Sequence, residues 1–469
     1  MIFKTATLGC KVNQYETQWL RAAFVANGWL DADENANDEE DVQLVLVNTC
    51  SVTAESDAKS RKLIARFAKE YPNAEIVVIG CYAASDPQRV KRLPHVVDVV
   101  PDKRKLPKFL RERGLEIIPT GVDRFVERAR AYVKVQDGCR VGCAYCIIPQ
   151  TRPYLHSRPI ADVLEEAKRL AQAGYREIVL TGIHLGHYGL DFYPPLDEEG
   201  DVPSDASVSL ETYLARQARV PEERRVELAS LLEALTDLNL PNLRFRLGSL
   251  EAVEVHDRLV ELARERDEQI CPHFHLSMQS GDDDVLRAMK RRWLSEPYIE
   301  RCRSICERVP NAALTTDVIV GFPGETDKQF ERTCEVVQTL HFSKTHVFRF
   351  SARPGSVAAA MPNQIAPELK KERAAQLIQI ANAEREKFAR RLVGSRARVV
   401  VEDVLDNPSG KLARGANGQY YDVETAIARD RDISEGDLLD VAITGTRGDV
   451  LLAELLDAHK SRNDALRFA

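Results

Sequence analysis

The sequence lacks any apolar run near the roughly 20 residues that cross a bilayer as a helix. Its start, MIFKTATLGC, lacks the basic stretch and apolar core of a secretory signal. A cytoplasmic protein with no membrane partner is therefore expected. Cysteine is sparse, with ten in 469 residues, so a disulfide framework is not expected and the thiols should be mainly reduced. An excess of positive charge is also missing. The formal net charge is −7, which argues against bulk affinity for polyanions. Charge is uneven, however. Arg89, Lys91, Arg92, Lys103, Arg104, Lys105, Lys108, Arg111 and Arg113 crowd one stretch, while 197–223 leans acidic. The basic stretch allows a local basic face, and equally an ordinary solvated surface.

The length suggests about three domains. The first, residues 1–122, repeats one pattern three times. Apolar runs at 2–9, 42–49 and 75–80 each end on a cysteine: Cys10, Cys50 and Cys81. Helical patterns follow the first two, at 14–27 and 54–69. Strands alternating with helices predict an α/β domain with a parallel sheet, whose ligands sit beyond the strands' carboxyl ends. The three cysteines can therefore meet at one sheet edge.

Residues 123–365 read as six strand-helix units, with strands at 131–135, 177–181, 244–248, 273–278, 315–320 and 345–350. Six units suggest a partial barrel with chemistry on the loops after its strands. Residues 190–224 interrupt the pattern with DFYPPLDEEGDVPSDAS, an insertion whose composition suits an inert surface loop. A charged helix is expected over 366–393. Short β runs at 397–404, 419–423, 438–444 and 450–455 predict a small antiparallel barrel over 394–458, suited to binding. Residues 459–469 form a tail.

The stretch DGCRVGCAYC places Cys139, Cys143 and Cys146 just beyond the first barrel strand. Structural zinc normally takes four ligands, and no second CxxC pair follows at zinc-finger spacing. A cubane iron-sulfur cluster on three cysteines leaves one iron open to a ligand. Spacing alone leaves both open.

CxxxCxxC with Tyr145 before the last cysteine resembles the radical S-adenosylmethionine superfamily. Further stretches resemble its methylthiotransferases in order along nearly the whole chain. They are TLGCKVNQYETQ, the cysteines of NTC and IGC, DGCRVGCAYCIIPQTR, IVLTGIHLGHYG, RLGSLEAVEV, HLSMQSGDDDVLRAMKRR, TTDVIVGFPGET and FRFSARPGSVAA. The β-rich tail resembles the RNA-binding TRAM domain.

This resemblance implies two [4Fe-4S] clusters, one on Cys139, Cys143 and Cys146 and an auxiliary one on Cys10, Cys50 and Cys81. It implies S-adenosylmethionine as cofactor, both as methyl donor and as source of a 5′-deoxyadenosyl radical, and a low-potential electron donor as partner. The implied product is a methylthio group on the target carbon. CKVNQYET and LTGIH most resemble the group that acts on threonylcarbamoyladenosine beside the tRNA anticodon. Isopentenyladenosine tRNA and a ribosomal-protein aspartate are the alternatives within the family. A non-catalytic iron-sulfur RNA-binding protein is the alternative outside it.

The resemblance also implies cofactor contacts from Tyr145, Gly182, His184, Arg246, Glu251, Gln279 and Gly321. RNA contacts are expected from Lys411, Arg414, Tyr420 and Tyr421. Two departures stand out: Pro153 and His156 occupy positions where the family usually has glycine and arginine. Cys271, Cys302, Cys306 and Cys334 remain; Cys302 and Cys306 lie one helical turn apart, a spacing that could chelate a metal, and are expected to be ordinary helix residues. His273 and His275 alternate on one strand and face one side.

Overall fold

The computed structural model describes residues 1–34, 42–126, 128–193, 208–407, 410–429 and 431–456. Residues 194–207 of the insertion expected at 190–224, and the tail, lie outside these.

The amino-terminal strands are β1 (Ile2–Thr7), β2 (Leu30–Asp31), β3 (Leu44–Thr49), β4 (Glu75–Gly80) and β5 (Val96–Val100). They form a wholly parallel sheet in the order β2-β1-β3-β4-β5. All six residues of β3 are buried, because helices cover both faces. The helix Ala54–Glu70 packs on one side and the helices Lys11–Ala26 and Leu106–Glu112 on the other. The adjacency of β1, β3 and β4 sets their carboxyl ends side by side.

The central strands are β6 (Ala131–Asp137), β7 (His156–Ser157), β8 (Glu177–Gly182), β9 (Arg244–Leu247), β10 (Ser249–Leu250), β11 (His273–Leu276), β12 (Ala313–Val320) and β13 (Lys344–Arg349). β6, β8 and β9 pair in parallel, a bridge from Phe245 to Ile270 carries the curve onward, and β11, β12 and β13 complete it. The result is an open barrel of six parallel strands. The helix Lys11–Ala26 packs against β6 at one margin. Near the other margin, Arg353 donates to Ser51 (2.9 Å) and Asp57 (2.6 Å). The amino-terminal unit thus covers the open side. The insertion expected at 190–224 contains the helix Leu210–Ala218. After β10, Ala252–Glu254 forms a 3-10 turn, and the next helix begins at Asp257.

The helix Pro367–Arg391 leads to β14 (Arg396–Asn407), β15 (Gly410–Asn417), β16 (Asp422–Ile427), β17 (Leu438–Arg447) and β18 (Val450–Leu455). These close a barrel in the order β14-β15-β16-β18-β17. Four pairings are antiparallel, and β16–β18 is parallel. The run expected at 419–423 straddles a turn, and β15 is a strand the sequence pattern did not indicate. Among the described residues, no helix is long and apolar enough to cross a membrane.

Candidate cluster and cofactor site

The cysteine loop starts at Gly138, whose φ is +80°. A Cβ there would lie 1.9 Å from the Tyr154 carbonyl oxygen, so only glycine allows this close approach. The Cys139 amide donates to the Arg152 carbonyl (3.3 Å), and the Ala144 amide to that of Met289 (2.9 Å). Each sulfur has a polar neighbour. Cys139 Sγ lies 3.5 Å from His184 Nδ1. Cys143 Sγ accepts from Arg291 Nη1 (3.2 Å), and Cys146 Sγ from the Ile148 amide (3.4 Å). Burial pushes the Cys146 thiol up to about 12, and the nearby Cys139 and Cys143 sulfurs add to the rise.

Glu251 fixes this arrangement by holding Arg291 (2.9 Å) and Arg292 (2.7 Å). Tyr145 Oη lies 3.4 Å from Arg291 Nη1. His184 Nε2 is 2.6 Å from Glu254 Oε1, and its ring stacks on His187 at 3.7 Å. The His184 amide donates to Gln136 Oε1 (2.9 Å), and Gln136 donates to the Gly138 carbonyl (2.8 Å). A Cβ on Gly182 would lie 3.0 Å from the Gln136 Cβ. Gln279 has φ +70°, and its amide bonds the Asp317 carbonyl (2.8 Å). Tyr145, His184 and Glu251 are thus set at the cysteine loop, Gly182 backs onto Gln136 beside it, and Gln279 lies just past the end of β11.

The second trio gathers at the other sheet. Cys10 precedes the helix Lys11–Ala26, Cys50 follows β3, and Cys81 opens the short helix Cys81–Ser85. A Cβ on Gly9 would lie 2.9 Å from the Cys50 Cβ. One on Gly80, φ +98°, would lie 2.3 Å from the Thr49 carbonyl oxygen. These close approaches bring the three thiols into one group. Burial pushes the Cys50 thiol up, with Cys81 and Cys10 adding to it.

Arg152 joins the two trios. Its guanidinium donates to Asn13 (2.9 Å), to both carboxylate oxygens of Glu16 (2.9 and 3.0 Å) and to Asp137 (2.6 Å). The Cys81 and Cys10 thiols lie near enough for their charge to act on it. Its carbonyl is the one that receives the Cys139 amide. Lys103 (2.8 Å) and Lys134 (3.0 Å) complete the ring of cations around Glu16. Burial opposes the Glu16 charge, but Arg152 and Lys134 hold its carboxyl below the usual range. The helices Cys81–Ser85 and Ile148–Thr151, each tied to a different trio, pack together.

A single tetrahedral zinc holds sulfurs about 3.8 Å apart, from Zn–S distances near 2.3 Å. Among the described residues, the ligand groups lying within 4.8 Å of one another are His184–His187–Glu254 and His275–Asp317–His346. Neither cysteine trio is that tight. Three soft sulfur donors on glycine-relaxed loops, more widely set, suit an iron-sulfur cube.

Several expected contacts are corrected. Arg246 is held by Glu177 (2.7 Å) and by the carbonyls of Gly418 (2.8 Å) and Asn417 (2.9 Å). It anchors the carboxy-terminal barrel rather than facing a cofactor. At Gly321 the close neighbour is Lys370, whose Cγ would lie 2.3 Å from an added Cβ, and its amide bonds Glu325 (2.7 Å). The glycine accommodates that packing. Tyr421 is fully buried, stacks on Phe388 and donates to the carbonyls of Ser343 (3.2 Å) and Arg385 (2.9 Å). It is core, with no face for RNA. Tyr420 lies inside the domain junction, against Lys11, Arg130, Arg246 and His273. Lys411 and Arg414 fall three apart on β15, hence on opposite faces, and Arg414 pairs with Glu424 (3.2 Å). The four expected RNA contacts do not form one surface.

Arg152, Arg291, Glu16 and Glu254 were not anticipated. The doublet Arg291–Arg292 was visible in RAMKRR, but nothing local indicates which thiol it reaches.

Residues 133–337 match the model of the radical SAM superfamily, and residues 3–102 that of "Uncharacterized protein family UPF0004". The threonylcarbamoyladenosine tRNA methylthiotransferase of Bacillus subtilis is 33% identical over 85% of this chain and 84% of its own. That of Thermotoga maritima is 34% identical over 84% and 85%. The tRNA-2-methylthio-N(6)-dimethylallyladenosine synthase of Methylacidiphilum infernorum is 28% identical over 94% and 92%.

Proposed function

The chain belongs to the methylthiotransferase family of radical S-adenosylmethionine enzymes, and from that premise we propose that it adds a methylthio group to N6-threonylcarbamoyladenosine beside the tRNA anticodon, at C2 of the adenine. The family brings a [4Fe-4S] cluster and S-adenosylmethionine. In this reading Cys139, Cys143 and Cys146 hold that cluster, and Cys10, Cys50 and Cys81 hold a second. When bound, the clusters supply one open iron for S-adenosylmethionine and a second centre for the sulfur that is transferred.

The chain's own residues do the positioning. Arg291, oriented by Glu251, donates to the Cys143 sulfur, a contact of the kind that tunes cluster potential. Tyr145, Gly182, His184 and Gln279 offer the surface on which S-adenosylmethionine lies. The amino-terminal unit covers the open barrel side and keeps bulk water from the reacting groups. A low-potential electron donor is the required partner, and the anticodon-loop adenosine of tRNA is the substrate.

One observation carries this reading: the Arg152 guanidinium, held by Asn13 and Glu16 of the amino-terminal unit, feels the charge of Cys81 and Cys10, while its carbonyl accepts the Cys139 amide. Two thiol trios braced by one residue favour chemistry that needs both centres in one chamber. Mass spectrometry of tRNA nucleosides from a deletion strain tests it. Loss of the methylthio mark from threonylcarbamoyladenosine is expected. Loss from isopentenyladenosine instead would change the substrate, and unchanged tRNA would overturn the proposal.

A further inference from the structure

Three adjacent barrel strands carry a polar group that the cluster chemistry does not use. His275 lies opposite Thr315 on β11 and β12, and Asp317 opposite His346 on β12 and β13. Residues two apart share a strand face, so His275, Asp317 and His346 look the same way as Ile319 and Phe348. Ile319 packs in the same apolar group as Tyr145 of the cysteine loop, so this face looks into the chamber. The face is open: the Asp317 side chain is 28% exposed and Phe348 45%.

His275 Nε2 lies 3.2 Å from Asp317 Oδ2, and its Nδ1 lies 2.9 Å from Thr315 Oγ1. The same hydroxyl meets His273 Nε2 at 3.0 Å, which fixes the His275 ring. From the amino-terminal unit, Lys11 reaches in beside them. Its Nζ stands 5.5 Å from the Tyr420 ring centroid, that ring lies 5.4 Å from His273, and the Lys11 charge acts on both His273 and His346. Among the described residues, no acidic side chain pairs with Lys11.

An unpaired ammonium, two imidazoles and one carboxylate are a mixed set of donors and acceptors. They match a group with a carboxylate, a hydroxyl and N–H bonds. An aliphatic substituent would leave them desolvated and unpaired, which is how polar sites reject apolar analogues. We propose that Lys11, His275, Asp317 and His346 form the subsite that reads the threonylcarbamoyl group, with Lys11 pairing the threonyl carboxylate. This rests on the threonylcarbamoyladenosine reading given above. The competing occupant is a divalent cation on the histidine–aspartate trio, which the Lys11 charge opposes.

The experiment compares kcat/KM on anticodon stem-loops carrying threonylcarbamoyladenosine, its methyl ester or isopentenyladenosine. The cluster-loaded wild-type enzyme should prefer the acid over the ester by about 10- to 100-fold, mainly through KM. Lys11→Met should bring that preference close to one, and Lys11→Arg should restore most of it. Because Lys11 adjoins Cys10, iron content is measured in each variant. If Lys11→Met loses iron, the preference is read in His346→Gln, which should also lower it. A wild-type preference that survives both substitutions overturns the subsite alone. A wild-type enzyme that modifies only the isopentenyl stem-loop overturns the substrate reading, and the subsite with it. One equivalent of zinc retained by wild type in equilibrium dialysis and lost in Asp317→Asn would assign the trio to a cation, and overturns the proposal too.

Discussion

Arg152 has its charge satisfied by Glu16, Asp137 and Asn13 with almost no water in reach. Removing one member of such a buried network leaves the others uncompensated, at about 3–5 kcal/mol. Arg152→Ala should therefore lower stability by about that amount in chemical denaturation, and a loss under 1 kcal/mol would show the network to be slack. Tyr421 allows a sharper test of role. Tyr421→Phe removes its donations to the Ser343 and Arg385 carbonyls, at about 1–2 kcal/mol of stability, while tRNA affinity in filter binding should not change. A large affinity loss in a folded Tyr421→Phe protein would contradict the core assignment. At this scale the grouping of Cys139, Cys143 and Cys146 was legible because their spacing on one loop is local. Arg152 was not, because its partners come from positions 13, 16 and 137. Tyr420 and Tyr421 were hard to separate, because the turn ending at Tyr420, φ +69°, resets the alternation that tells inside from outside.

Strands were legible where burial on both faces gives unbroken apolar runs, as in β3 and β4. β15 escaped notice because GKLARGAN has few apolar residues and two glycines. The lower barrel interior was unreadable for a related reason: it is ionic. Glu177 on β8 faces Arg244 (2.6 Å) and Arg246 (2.7 Å) on β9, and these arginines also bind carbonyls of the carboxy-terminal barrel. Nothing in the pattern of either strand announces a partner some 170 residues away. Burial works to raise the Glu177 carboxyl, but Arg246 and Arg244 overcome it and hold it well below the ordinary range. A carboxyl depressed in the folded state adds stability above its unfolded pKa of about 4.3, and that stability fades as pH falls below this value. The melting temperature should therefore drop between about pH 4.5 and 3. Glu177→Gln should melt lower at neutral pH and show a shallower acid slope. An unchanged slope would place the acid sensitivity elsewhere.

At the scale of the whole molecule, the amino-terminal sheet is the open barrel's missing wall. It brings Cys10, Cys50 and Cys81 to that wall, while Glu16 and Lys11 reach past it toward barrel residues. If each trio holds its own cube, the chain should carry about eight irons. Replacing Cys139, Cys143 and Cys146 by alanine should leave about four and abolish 5′-deoxyadenosine formation from S-adenosylmethionine under reducing conditions. Replacing Cys10, Cys50 and Cys81 should also leave about four, but 5′-deoxyadenosine should still form while methylthiolated nucleoside does not. The two triple variants therefore lose the same metal and different chemistry, which an unspecific folding defect would not produce. A protein with one cluster shared across the chamber would behave differently, since either triple variant would lose nearly all its iron. Iron analysis paired with product analysis of both variants separates these cases. Arg152 makes the comparison demanding, because it braces both trios. Each variant should retain the wild-type far-ultraviolet circular dichroism before its iron is counted.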